Sequence, residues 1–179
     1  MRKRVRDILP ILVILAGLLV LLYPTISNYL VEKNASRAVA SYDAATVDLG
    51  QEERERLLAE ARAYNDALAA SSGASPQAPE GGEPAQVGET LAYEDLLNLN
   101  GDGMMGYIII PKMNVELPIY HTAEERVLQS GVGHMESSSL PVGGESTHAA
   151  LSGHRGLPSA KLFTDLDQME VGDQFYIKV

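Results

Sequence analysis

The chain has 179 residues, 45% of them hydrophobic, and its 14 Lys and Arg against 24 Asp and Glu give a formal net charge of −10. With no Lys/Arg cluster beyond the N-terminus, no basic surface exists to release phosphate counterions, which argues against nucleic acid as a partner. There is no cysteine, so disulfides, thiolate metal ligation and thiol catalysis by these residues are excluded.

Arg2, Lys3, Arg4 and Arg6 precede an uncharged stretch over residues 8–27, whose centre at 11–22 is almost wholly Leu, Ile and Val. Spanning a bilayer takes about 20 mostly apolar residues, and Pro10 and Pro24 stand near the two ends of this one. The basic flank predicts a cytoplasmic N-terminus, with everything after residue 26 outside. A cleaved signal peptide would need small residues at its cleavage site, and Leu22-Tyr-Pro-Thr-Ile26 offers none. Residues 1–27 therefore read as a cytoplasmic flank and single-pass transmembrane anchor in contact with lipid.

Residues 28–70 are polar, alanine-rich and proline-free, and read as a helical stalk. An extension of the anchor to about residue 45 precedes a second helix near 49–70. That second helix carries Leu57, Leu58, Ala61, Tyr64, Asn65 and Leu68 at helical spacing. Asp48 and Gln51 suggest a capping box, with Glu52 and Glu53 in the first turn. The expected role is a solvated spacer. Residues 71–92 hold Ser, Gly, Pro and Glu with little to bury, and read as a linker.

The body spans residues 93–179. Asn100-Gly-Asp-Gly103 is a turn, because an EF-hand loop would need further acidic ligands and a closing glutamate. Gly106-Tyr-Ile-Ile-Ile-Pro111 predicts a buried strand and Val115-Glu-Leu-Pro-Ile-Tyr120 a second, with Pro118 at an edge or bulge. One or two helical turns are expected at 124–129, a third strand at 146–152, a short helix at 160–169 and a fourth strand at 174–179. Short strands without strand–helix alternation suggest a mainly β, mainly antiparallel barrel or sandwich.

His154 ends the apolar run Ala149-Ala-Leu151, between Gly153 and Gly156. Histidine is the side chain whose ordinary pKa lies closest to neutrality, so this one suits general acid–base work. His121, His134 and His148 could contribute to a metal site, but no His-Glu-x-x-His pair supports one. No Gly-x-Ser-x-Gly elbow occurs, which weighs against a serine hydrolase using Ser152. Neither a metal nor a cofactor is expected.

The string Ser152-Gly-His-Arg-Gly-Leu-Pro-Ser-Ala-Lys-Leu-Phe-Thr-Asp-Leu166 resembles the segment around the catalytic histidine of class C, pilus-type sortases. Gly106-Tyr-Ile-Ile-Ile-Pro-Lys112, Leu117-Pro-Ile-Tyr120, Gly131-Val-Gly-His-Met-Glu136 and Ser139-Leu-Pro-Val-Gly-Gly-Glu145 resemble the same family, in its order. The run from Glu53 to Leu68 resembles its helical N-terminal region. The resemblance implies a sortase-like β-barrel with short helices, incomplete here and preceded by the anchor and stalk. It implies a membrane-anchored cysteine transpeptidase that cleaves Leu-Pro-x-Thr-Gly-like sorting signals and joins pilins through a lysine amine. His154 would be the catalytic histidine. The family's cysteine and arginine lie C-terminal to it, so the chain reads as an N-terminal fragment, inactive as written. Many relatives place an Asp-Pro-aromatic lid near residues 71–92; no Asp-Pro occurs here. The alternative reading is a non-catalytic anchored β-domain that binds pilin or a sortase partner.

Overall fold

The computed structural model describes residues 2–71 and 92–179. Helix α1 runs without a break over Arg2–Asp48, through both Pro10 and Pro24. Over residues 8–26 its side chains are exposed, and this is a helix long and apolar enough to cross a membrane. Gly50 follows, and α2 spans Gln51–Ser71 with Glu52 and Glu53 in its first turn. Asp48 is the last residue of α1 and not the cap of α2, because the Gly50 carbonyl already accepts the Arg54 amide at 3.0 Å.

A five-stranded sheet follows. Strands β1 (Met104–Ile110), β2 (Val115–His121), β3 (Val132–His134), β4 (Leu151–Ser152) and β5 (Tyr176–Lys178) lie in the order β4-β3-β2-β1-β5. Among the described residues the sheet is open, not closed into a barrel. Three of its pairings are antiparallel, and β2 with β3 is parallel. The ten-residue crossover to β3 carries the short helix α3 (Glu125–Leu128).

Strand β3 falls where the sequence predicts no strand. Two glycines in Gly131-Val-Gly-His134 erase any alternating pattern, yet they are what the pairing requires. A Cβ on Gly133 would collide with the Thr122 carbonyl and lie 2.7 Å from the Ala123 Cα. The third strand is shorter than expected, with only Leu151 and Ser152 in the ladder. Ser146, at φ 61, turns the chain before it. No regular α-helix forms over residues 160–169. Leu162 takes φ 39, and a single 3-10 turn occupies Leu166–Gln168, so that Ala160, Leu162 and Phe163 all reach the core. Pro118 lies on β2 just before the residues that pair with β3, where its missing N–H is not needed. The expected linker and lid region over 72–91 lies outside the described residues.

The helices are part of the core, which overturns their reading as a solvated spacer. Val31, Ala35, Ala38, Val39 and Tyr42 form one face of α1 after the apolar segment, with Ala35, Val39 and Tyr42 buried. Tyr42 packs edge-on against Tyr107 at 6.3 Å and donates to the Met105 carbonyl at 3.0 Å. Burial pushes the Tyr42 hydroxyl up to about 12. Tyr107 donates to Asp43 at 2.8 Å. On α2, Ala61 enters the main core with Tyr93, Leu96, Ile108, Ile110 and Leu140. Buried Asn65 then closes a two-point bond on Leu140, accepting its amide at 2.7 Å and donating to its carbonyl at 3.1 Å.

That double bond satisfies both backbone groups of a buried loop residue, each costly to orphan. Asn65→Ala should lower stability by about 2–4 kcal/mol, and Tyr42→Phe by about 1 kcal/mol. Urea unfolding of the full chain in detergent, followed by circular dichroism, measures both losses. Equal losses for the two variants would contradict this ranking.

Candidate active site

His154 stands two residues past β4. Gly153 permits that placement, because a Cβ there would lie 2.8 Å from the Phe163 ring. The Phe163 amide donates to the His154 carbonyl at 3.1 Å, which ties the backbone of the histidine to the core. Gly156, at φ +74, turns the chain back, and its amide donates to the Thr164 hydroxyl at 3.1 Å. The histidine is thus fixed by its backbone while its ring stays 30% exposed.

One carboxylate addresses that ring. Glu125 Oε1 on α3 lies 3.4 Å from His154 Nε2. The Gln129 amide and, second to it, His154 hold the Glu125 carboxyl below the usual carboxylate range. Glu125 is remote in sequence, and nothing in its local pattern distinguishes it from its neighbours Glu124 and Arg126. Only the crossover from β2 to β3 brings it to β4. Arg155, next in the chain, turns to Asp167 at 2.9 Å. The arrangement presents a solvent-reachable imidazole that can give and take a proton beside an anionic partner.

The other histidines are elsewhere. His134 is fully buried, with Tyr93 Oη 2.8 Å from Nδ1 and the Ser139 carbonyl 2.9 Å from Nε2. A carbonyl can only accept, so Nε2 carries the proton and Tyr93 donates to Nδ1. Burial pushes this imidazole below its ordinary pKa, and the neighbouring His121 adds to the effect. His121 lies edge-on to the Tyr93 ring at 4.9 Å, with its ring nitrogens 2.9 Å from the carbonyls of Gly103 and Leu96. His148 is bound through its backbone to Ser139. Both buried rings hold segments together, tying the chain around Tyr93 to β2 and β3. Among the described residues no group of three or more His, Asp or Glu side chains is placed to hold a metal. A cavity of about 530 Å³ between α1, α2 and β5 is lined by Tyr42, Arg54, Leu97, Tyr107 and Val179, away from His154.

Comparison with known proteins bears on this arrangement. Residues 108–179 match the sortase domain family. Sortase D of Bacillus subtilis is 39% identical over 69 residues, a match that covers 38% of this chain and 32% of that protein. The chain therefore aligns with about a third of that relative's length. The crystal structure of sortase C1 from Streptococcus agalactiae superposes with a TM-score of 0.69 at 39% identity, covering 80% of this chain and 70% of that one. Sortase C-1 from Streptococcus pneumoniae superposes with a TM-score of 0.59 at 36% identity, covering 79% of this chain and 69% of that one.

The buried imidazole at His134 gives the stability a sign with pH. Its folded pKa is depressed, so its contribution is fully present above the unfolded histidine value of about 6.5. It is lost as pH falls below that value, at up to about 1.4 kcal/mol per pH unit from one proton. Urea midpoints should therefore drop between pH 7.5 and 5.5. His134→Gln should be less stable at pH 7.5 but show a flatter fall. An unchanged slope in that variant would place the acid sensitivity elsewhere.

Proposed function

The chain belongs to the sortase family, and from that premise we propose that it is the N-terminal part of a membrane-anchored, class C, pilus-type cysteine transpeptidase. In this reading residues 1–27 are the anchor, 28–70 the helices that dock on the sheet, 71–92 a linker, and 93–179 the first part of the catalytic body. The observation that carries it is His154, 30% exposed two residues past β4, beside Glu125 and held by its backbone to Phe163.

The chemistry follows from what such an imidazole can do. A cysteine thiolate attacks the scissile carbonyl of a Leu-Pro-x-Thr-Gly-like signal, and the carbonyl π electrons move to oxygen. The C–N bond then breaks, and His154 protonates the departing amine, leaving a thioacyl enzyme. A pilin lysine amine next attacks that thioester. His154 accepts its proton, the new amide forms, and the thiolate departs. An arginine stabilises the oxyanion or positions the signal. These 179 residues contain no cysteine, so alone they perform neither step. The same absence favours, as a second reading, a non-catalytic anchored β-domain that binds pilin or a sortase partner.

The test joins this chain to the C-terminal segment of the Streptococcus agalactiae sortase C1 it resembles. The unjoined chain should cleave no sorting-signal peptide. The joined protein should cleave it, and His154→Ala should lower kcat/KM by about 10²–10⁴-fold. Glu125→Gln, which alters only an exposed partner at 3.4 Å, should cost less than about tenfold. Full activity in folded His154→Ala would remove the histidine from the mechanism. An inactive but folded joined protein that still binds pilin would favour the non-catalytic reading.

A further inference from the structure

We infer that the end of the β body bearing the β1–β2 turn lies on the lipid surface, with Val171, Phe175, Tyr176 and Leu166 inserted among the headgroups. The inference rests on the reading of α1 as a membrane anchor.

Helix α1 continues unbroken from the apolar segment into the body-contacting stretch, so distance along it measures height above the membrane at about 1.5 Å per residue. The apolar stretch over residues 8–27 matches a hydrocarbon core about 30 Å thick. Each headgroup layer adds about 5–7 Å, which corresponds to the next turn, near Asn28 and Glu32. The body begins to touch the helix there. Asn28 Oδ1 accepts the Lys161 amide at 2.7 Å, and Lys161 Nζ donates to the Met113 carbonyl at 2.7 Å. Neighbouring Lys112 pairs with Glu170 at 3.0 Å and Asp173 at 2.7 Å. This relay connects the first helical turn beyond the hydrocarbon core to the turn that carries Val171.

The direction of β1 agrees. Its start lies by Tyr42, whose hydroxyl reaches the Met105 carbonyl, and its far end lies by Val31 and Asn28 across a cavity of about 360 Å³ lined also by Pro111 and Asn114. The β1–β2 turn therefore points back toward the membrane. Tyr176 pairs with Ile109, near that end of β1, and Phe175 precedes it.

Beyond residue 30 the exposed large apolar side chains are Val47, Met135, Leu166, Val171, Phe175 and Tyr176 among the described residues, and the last four all come from the segment 166–176. Val171 is fully exposed, and Phe175 is 57% exposed. Apolar and aromatic side chains at headgroup depth are what an interfacial surface requires. Charge attraction is not the driving term. Lys112 and Lys161 are both already paired, and Asp165, Asp167, Glu170 and Asp173 share this end.

Because the chain has no cysteine, single labels can be placed cleanly. Val171→Cys, Val47→Cys and Leu15→Cys would each carry a nitrobenzoxadiazole dye in the full chain. Each is reconstituted into phosphatidylcholine/phosphatidylglycerol vesicles containing spin-labelled lipid at headgroup or deep acyl positions. The Val171 label should be quenched severalfold more by headgroup spin label than the Val47 label, at low and high salt alike. The Leu15 label should respond to the deep position. A quenched Leu15 label with a Val171 label no more quenched than Val47 overturns the inference and leaves the anchor intact. A blue-shifted but unquenched Val171 label means a protein surface covers it, which also overturns it. An unquenched Leu15 label removes the anchor, and this inference with it.

Discussion

The structure depends on covering both faces of β1. Met104 and Tyr107 lie with Val39 and Tyr42 of α1, while Met105, Ile108 and Ile110 join the cluster that includes Ala61 of α2. A strand buried on both sides needs a continuous apolar run, which Met-Met-Gly-Tyr-Ile-Ile-Ile supplies. Each large side chain so buried contributes about 1.5–3 kcal/mol. An open five-stranded sheet with strands this short could not supply that cover itself. The helices are therefore structural partners of the sheet, and the sheet's orientation relative to α1 follows from them.

The same constraint positions the candidate site. With β1 and β2 fixed against the helices, the crossover through α3 must return to β2 to pair β3 in parallel, and β4 then adds on β3. Glu125 and His154 meet because α3 and the end of β4 flank β3. Buried polar contacts set the loops between these elements. Tyr93 bonds His134, His134 bonds Ser139, Ser138 accepts the Ala150 amide, and Asn65 holds Leu140. Each bond satisfies a group that would be costly to leave unpaired.

Much of this was legible in the residues, and the failures have physical causes. The apolar stretch, the two helices, β1, β2 and α3 follow from periodicity and from their flanking turns. Strand β3 did not, because Gly131 and Gly133 answer to the Pro118 and Thr122 carbonyls of the neighbouring segment and leave no local pattern. The expected helix at 160–169 failed for the opposite reason. Its apolar residues are needed in different parts of the core, and a left-handed Leu162 breaks the helix to deliver them. The stripe Val31, Ala35, Val39 and Tyr42 was present in α1, yet its small residues hid it. Alanine marks close helix–sheet approach only once the sheet is known to be there.

By itself the sequence determined an apolar helix of membrane length, a body of short strands and the absence of any thiol in these residues, and it singled out His154 as a candidate for proton transfer. Those properties reside in composition, in local periodicity and in the intrinsic chemistry of single side chains. Tertiary structure alone decided that the helices are core rather than spacer. It also separated the partly exposed histidine that faces Glu125 from the two buried ones, His134 bonded to Tyr93 and Ser139 and His121 set against the Gly103 and Leu96 carbonyls. Burial and partners across 29 or 41 residues of chain make that distinction, and no local pattern encodes contacts at such separation.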